Sequence, residues 1–300
     1  MFNIIKMDLY KMFKMRSFYV VNIIAMVSVA IMLLFVVVDA DKTDLKGSNA
    51  TTVYEDKDQN VKLGVDVDDS QLLGTEQNVL TIYSSFMSSG FYLFFSVIFT
   101  MIFALSENKN GYIKNIGGQV RHRWQLFVSK LTAIFIYIFM FDLILLVVQS
   151  VIWFIAKGNF GAGSFSEYIT FIISQFLLQY VFVTVCTAIA IITKSRVFSM
   201  TVAVCMSFGM GKLACMGIDA GIYKLLNREV SLEKYLITTK IGNMLPNMDM
   251  AQIRNIIVFA AVYFIVSVFV GIISVEKRDM VCYTGGCETQ YMFFCLRISA

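Results

Sequence analysis

The sequence predicts an all-α membrane protein, a bundle of six transmembrane helices with both termini in the cytoplasm. Hydrophobic residues make up 58% of the 300 residues and charged residues 15%, with a mean hydropathy of +0.71. An ordinary soluble domain is about half apolar and a quarter charged. Several runs of about twenty residues also carry almost no charge, and about twenty apolar residues are what a helix needs to cross a bilayer.

The apolar runs define the expected spans. Each is long enough for a hydrocarbon core of about 30 Å at a helical rise of about 1.5 Å per residue. An even number of spans brings both termini to the same side. We place the spans at residues 17–38, 81–106, 131–156, 168–193, 197–217 and 255–275.

The residues before the first span form a basic, amphipathic stretch. Residues 1–16 hold four basic side chains and one acid. Apolar side chains recur there at helical spacing, at Ile4, Ile5, Leu9, Met12 and Phe13. This pattern favours a helix lying on an anionic leaflet. The alternative is a simple positive flank of the first span.

The segment after the first span is acidic. Residues 39–76 contain ten acids and four lysines. The contrast with the basic N-terminus places this segment outside the cell and the N-terminus in the cytoplasm. It could be a small external subdomain or a flexible loop.

A basic segment, residues 107–130, separates the second and third spans. It has five Lys or Arg residues, one acid and the single histidine of the chain, His122. Its basic side chains are interleaved with Tyr112, Trp124 and Phe127. Aromatic anchors with a charged rim suit a groove on a soluble protein. Alternatively, these charges only set the topology and bind lipid headgroups.

Asp142 is the one acid deep inside an apolar run. It lies twelve residues after Lys130, roughly 18 Å along a helix. A charge at the bilayer centre costs at least ~2.5 kcal/mol, so Asp142 is expected to face the bundle interior, a cavity or a partner protomer. A residue of a substrate path and a buried structural acid are both compatible with this position.

The motifs of several enzyme classes are missing from the sequence. No Gly-x4-Gly-Lys-Ser/Thr phosphate loop occurs, and one histidine cannot supply a multi-histidine metal site. We therefore expect no enzymatic activity, metal or cofactor in this chain. The basic residues cluster at membrane borders, which argues against nucleic-acid binding.

The order of these features resembles the permease subunits of ABC-2-type ATP-binding-cassette transporters, over residues 1–280. In that family an E…G.IKN……R..LF.SK run follows the second span. The matching residues here are Glu107, Gly111, Ile113-Lys114-Asn115, Arg123 and Leu126-Phe127-Val128-Ser129-Lys130. The N-terminal K.DLYKMFK.RSFY stretch and the Lys277-Arg278-Asp279 end of the last span are also typical. Within the family, the sequence as a whole is most similar to the permeases of bacteriocin or lantibiotic immunity systems.

The resemblance implies a multi-pass permease in a bacterial plasma membrane. Its basic segment would be a coupling helix that docks on a cytosolic ATPase subunit, which binds ATP and Mg²⁺. The docking residues would be Glu107, Gly111, Lys114, Arg121, Arg123, Trp124 and Lys130. A second permease, identical or similar, would complete the transporter. The exported substrate would be amphipathic, for example an antimicrobial peptide to which the transporter confers resistance.

The same resemblance implies re-entrant or interfacial helices in the external segment 219–252, before the sixth span. Pro246, the only proline, would end or kink them. Two features depart from the family. Val120-Arg121-His122-Arg123 stands where Pro-x-Ser-Arg is frequent, and an atypical tail, residues 281–300, extends beyond the usual end.

Two other functional classes fit the sequence. One is a polytopic scaffold or sensor without transport activity. The other is a secondary transporter, a class that usually has discontinuous helices and coupling acids near the bilayer midplane. Asp142 alone meets the second requirement in the sequence.

Overall fold

The computed structural model describes residues 2–45, 79–106, 124–157, 165–193, 195–226, 232–244 and 250–276. Regular structure in these ranges is entirely helical, which confirms the predicted all-α class. The ten α-helices are α1 (Phe2–Lys14), α2 (Arg16–Leu45), α3 (Val79–Ser88), α4 (Phe91–Leu105), α5 (Trp124–Lys157), α6 (Phe165–Thr193), α7 (Arg196–Ser207), α8 (Met210–Leu226), α9 (Ile237–Gly242) and α10 (Met250–Glu276). A short 3-10 helix, Leu232–Tyr235, precedes α9.

Four helices, α2, α5, α6 and α10, are each long and apolar enough to cross a membrane. The pairs α3–α4 and α7–α8 reach that length only when each pair is taken together, so the described residues hold four to six spans. The chain is therefore a helical membrane protein by length and composition. The count of six remains a prediction.

Two predicted spans are not continuous helices. The axes of α3 and α4 differ by 57°, and those of α7 and α8 by 84°. Gly90 and Gly209 stand at the two breaks with φ of 76° and 78°, a left-handed conformation that ends a helix and that glycine adopts at little cost. The spans predicted over 81–106 and 197–217 therefore each consist of two helices with a bend, which the sequence does not show because glycine in an apolar run is also compatible with an unbroken helix.

The two breaks lie against each other. A Cβ atom added to Gly90 would stand 2.1 Å from the carbonyl oxygen of Ser207, the last residue of α7. The rings of Phe94 and Phe208 pack beside this contact with centroids 4.9 Å apart. Backbone N–H groups at both breaks still find carbonyls: Gly90 donates to Met87 and Gly209 donates to Met206. This bonding makes the bends compatible with an apolar environment, where an unmet backbone group is costly.

Several helix ends differ from the predicted limits. α2 continues to Leu45 instead of ending at residue 38, and α5 begins at Trp124 instead of residue 131. The last seven residues of the predicted basic loop, Trp124 to Lys130, thus belong to a membrane helix. α8, the 3-10 helix and α9 occupy much of the segment predicted as external helices. Residues 46–78, 107–123 and 277–300 lie outside the described ranges.

Contacts between helix ends define one end of the bundle. Phe127, in the first turns of α5, packs with Ile191 near the end of α6 and with Val268, Ile272 and Val275 on α10. Lys130 Nζ donates to the carbonyl of Ala104 at the end of α4, 3.4 Å away. α1 packs on the same part of α5. We call this the α1 end. It contains α1 and the last turns of α10.

The opposite end is closed by the short helix α9. Gln175 on α6 donates to the carbonyl of Ile241 on α9 over 3.3 Å. Gly242 approaches α3, since its added Cβ would lie 3.7 Å from the Ser88 carbonyl oxygen. A single large core connects the helices between these two ends.

The outer surface carries many large apolar side chains. Those of α2 and α10 follow one side of each helix, and α10 is the least buried of the four long helices. Contiguous apolar surface on this scale is unusual on a soluble monomer and is what a lipid-facing helix requires. Exposed examples are Ile23, Ile24, Val27, Ile31 and Leu34 on α2, and Val258, Val262, Ile265, Val266 and Phe269 on α10.

The Gly90→Ala variant tests the contact between the breaks. We expect it to lower stability by more than about 1 kcal/mol, because alanine is strained at positive φ and its methyl group would collide with the Ser207 carbonyl. Thermal unfolding in detergent, followed by circular dichroism, measures the effect.

Gly217→Ala is the matched control. Gly217 is exposed in α8, and nothing lies within 4 Å of its added Cβ. We expect this change to be neutral or slightly stabilising. Equal stability of the Gly90→Ala and Gly217→Ala variants would contradict the close approach.

Candidate functional site

Helix α1 is amphipathic, as the sequence predicts. Met12 and Asp8 are buried against the bundle, whereas Phe2, Lys6 and Tyr10 are exposed. The Lys14 ammonium lies 5.6 Å from the centre of the Tyr10 ring, a cation–π distance. The exposed face therefore combines basic and aromatic groups, which suits either a lipid headgroup layer or a soluble partner.

A buried polar contact fixes α1 to α5. The hydroxyl of Ser129, which is fully buried, donates to the carboxylate of Asp8, which is 2% exposed. Hydrogen bonds to an ionised acceptor are among the stronger ones in proteins. The sequence gives no indication that Asp8 is buried, because its position opposite Ser129 depends on how α1 packs against α5.

Phe127 fixes the start of α5 to α10. Its ring lies directly against Gly271, where an added Cβ would stand 2.3 Å from the ring carbon Cζ. The absence of a side chain at Gly271 lets the ring fit against the α10 backbone. The beginning of α5 is thus held by α1 on one side and by α10 on another.

The predicted docking residues divide into two groups. Trp124 is the first residue of α5 and is half-buried, and Lys130 lies two turns later with its ammonium on the Ala104 carbonyl. Glu107, Gly111, Lys114, Arg121 and Arg123 lie outside the described residues. α4 ends at Leu105 and α5 begins at Trp124, so the described helices on either side of residues 107–123 both have these ends at the α1 end.

Asp142 faces the bundle interior, as expected for an acid in a membrane helix. It lies in the middle of α5 and is 6% exposed. It interacts electrostatically with Gln179 on α6 and with the phenols of Tyr83, Tyr92 and Tyr137. Neither carboxylate oxygen has a hydrogen-bond partner among the described residues.

Buried amide side chains lie between Asp142 and the end of the bundle closed by α9. Tyr92 donates to Gln149 Oε1 over 2.7 Å, and Gln149 Nε2 donates to the carbonyl of Val79 over 3.0 Å. Gln149 and Gln175 are fully buried. These bonds tie the start of α3 to α5, and α6 to α9.

Gln149, Gln175 and Gln179 are not among the site residues predicted from the sequence. A signal was present, because all three amides stand alone in apolar runs and polar groups in membrane helices usually face other helices. Gln149 follows Asp142 by two helical turns, and Gln175 and Gln179 are one turn apart. This spacing already places each pair on one helix face.

A double-mutant cycle on Asp8 and Ser129 tests the contact between α1 and α5. We expect Ser129→Ala to destabilise the protein by about 1–3 kcal/mol, since it removes a donor from a buried carboxylate. In the Asp8→Ala background the same change should cost clearly less, with a coupling energy of about 0.5–3 kcal/mol. Strict additivity in thermal or denaturant unfolding would contradict the hydrogen bond.

Comparison with known proteins identifies a family. The sequence model of a family described as a protein of unknown function (DUF2705) matches residues 67–281. The match includes α3 to α10 and covers more than two thirds of the 300 residues. A comparison with curated proteins gives no match. The chain belongs to the DUF2705 family, whose matched region contains the two broken helices, the start of α5 and Asp142.

Proposed function

We propose that this chain is the membrane-spanning permease subunit of an ATP-binding-cassette transporter. The supporting observation is the arrangement of the α1 end. The amphipathic helix α1, the end of α4 and the start of α5 meet there. The basic segment 107–123 lies between α4 and α5 in the sequence, and the residues on either side of it, Ser106 and Trp124, are both at this end. A cytosolic ATPase subunit could engage both elements together.

The helix α5 offers a direct mechanical connection from this end to the interior. It is continuous from Trp124 to Lys157, and Asp142 lies midway. A movement imposed on its first turn would shift α1 through the Asp8–Ser129 contact and α10 through Phe127. ATP-driven closure of the ATPase subunits would use this connection to change which side of the membrane the interior faces.

The chemistry of the bundle supports an amphipathic cargo. Its interior contains aromatic rings together with buried amides and the carboxyl groups of Asp8 and Asp142. Its outer faces on α2 and α10 are apolar, so a bilayer-borne molecule could reach them from the lipid. A second permease, identical or similar, would complete the path, and an antimicrobial peptide is a substrate of suitable character.

A pull-down tests the docking surface. Tagged protein from its native membrane should retain a cytosolic P-loop ATPase in mild detergent. The Arg121→Ala/Arg123→Ala/Trp124→Ala variant should lose it, because the change removes two charges and an aromatic anchor. Loss should be at least tenfold, or about 1.4 kcal/mol of binding free energy.

The matched control also removes two basic side chains and one aromatic side chain, but at the other end of the bundle. Lys234, Tyr235 and Arg254 are exposed there, and their replacement by alanine should leave the ATPase bound. Equal loss with both triple variants would contradict docking at the α1 end. Absence of any ATPase from well-folded wild-type protein would instead favour a scaffold or sensor, or a transporter driven by an ion gradient.

A secondary transporter is the second candidate, and a specific observation favours it. Two broken helices cross at Gly90 and Ser207, and a buried acid lies near one of them. Discontinuous helices with a coupling acid at mid-depth are the usual construction of ion-driven transporters. In a secondary transporter the α1 end would not dock an ATPase subunit.

Transport assays on the wild type and on the Asp142→Asn variant in proteoliposomes separate the two candidates. The probe is a fluorescent cationic amphipathic peptide. For an ABC permease, wild-type transport requires ATP and the partner subunit, and the variant should lose transport while ATPase stimulation persists. For a secondary transporter, wild-type transport should follow an imposed ion gradient without ATP. Loss of ATPase stimulation in a folded variant would argue against a transport-path role for Asp142.

A further inference from the structure

The surroundings of Asp142 form a distinct polar site between four helices. Tyr83 comes from α3, Tyr92 from α4, Tyr137 from α5 and Gln179 from α6. All four are buried, with exposures of 0–1%. Each interacts electrostatically with Asp142. We call these five residues the Asp142 site.

The hydrogen bonds of this site are incomplete within the described part of the chain. By strict hydrogen-bond geometry, both oxygens of Asp142, both amide atoms of Gln179 and the hydroxyls of Tyr83 and Tyr137 are buried without partners, although the Gln179 amide lies close enough to stabilise the Asp142 carboxylate. Tyr92 differs, because its hydroxyl donates a hydrogen bond to Gln149 Oε1. Native proteins leave few buried polar side chains unpaired, and an unexplained group often marks a functional site.

No positive charge faces Asp142 within the described part of the chain. The described groups that interact with it from α3, α4, α5 and α6 are three phenols and one amide. An ionised carboxylate buried among neutral groups carries a large desolvation cost that these groups only partly offset. A bound cation removes that cost, and the smallest such cation is a proton.

The side chains of the site favour a proton over a metal ion. The described residues contain no group of three or more His, Cys, Asp or Glu side chains that could hold a metal ion, whereas a proton needs only one carboxyl group. Protonation also turns one carboxylate oxygen into a donor, and Gln179 Oε1 is an acceptor without a partner.

We propose that the Asp142 site binds and releases a proton, with Asp142 as the proton-carrying group and Gln179 as its hydrogen-bond partner. The site includes both sides of the break in α3–α4, because Tyr83 precedes Gly90 and Tyr92 follows it. A change in the 57° bend would move the two rings relative to each other and to Asp142. This movement would open the carboxyl group to water and allow the proton to exchange. Proton binding is a property of this chain alone and does not rest on the proposed function.

Infrared difference spectroscopy of the full chain in lipid nanodiscs tests the proposal. At neutral pH, the spectrum of wild type minus Asp142→Asn should contain the carbonyl-stretch band of a protonated carboxylic acid. The band should shift in D₂O and disappear as the pH is raised. It should persist in Asp219→Asn, which removes a half-exposed carboxyl group elsewhere and leaves the Asp142 site intact.

A second variant keeps the test informative if Asp142→Asn fails to fold. Gln179→Leu retains Asp142 but removes its proposed partner, so the band should move to the frequency of a carboxyl group without that hydrogen bond. A band that is absent from wild type at neutral pH would overturn the proposal. So would a band that disappears when sodium is added at constant pH, because the site would then bind a metal cation.

Discussion

The close approach of Gly90 to the Ser207 carbonyl is the contact on which the helix arrangement depends. Any side chain at position 90 would meet that oxygen, and the positive φ of Gly90 ends α3 at the same place. The bend that results directs α3 towards α5, where the Val79 carbonyl accepts from Gln149. Tyr83 is thereby brought within electrostatic reach of Asp142. A small local constraint on the backbone thus assembles the polar interior of the bundle.

The second organising feature is the continuity of α5. Its first turns contact α1, the end of α4 and α10, and its middle carries Asp142. Its second half carries Gln149, which ties α5 to α3 and α4. One rigid helix therefore connects the α1 end with the buried site. The proposed permease mechanism would use that connection from the α1 end inwards.

Polar residues were only partly predictable from the sequence. Asp142 could be placed in the interior because a lone acid in an apolar run has few other options. Asp8 could not, since charged residues at the start of a basic helix normally face water, and its burial depends on Ser129 being opposite. The glutamines gave a readable but weak signal. The glutamines could be placed in the interior only once the buried face of each helix was known, because two or three isolated amides do not define that face.

The sequence by itself determined the all-helical membrane class, the amphipathic N-terminal helix and the approximate positions of the long helices. These follow from local hydropathy and periodicity, which require no knowledge of neighbours. Only the tertiary structure decided where spans break, because glycine in an apolar run is compatible with both a continuous and a broken helix; at Gly90 the Ser207 carbonyl occupies the place of a side chain. It also decided which polar groups meet, because that depends on how four separate helices are rotated against each other.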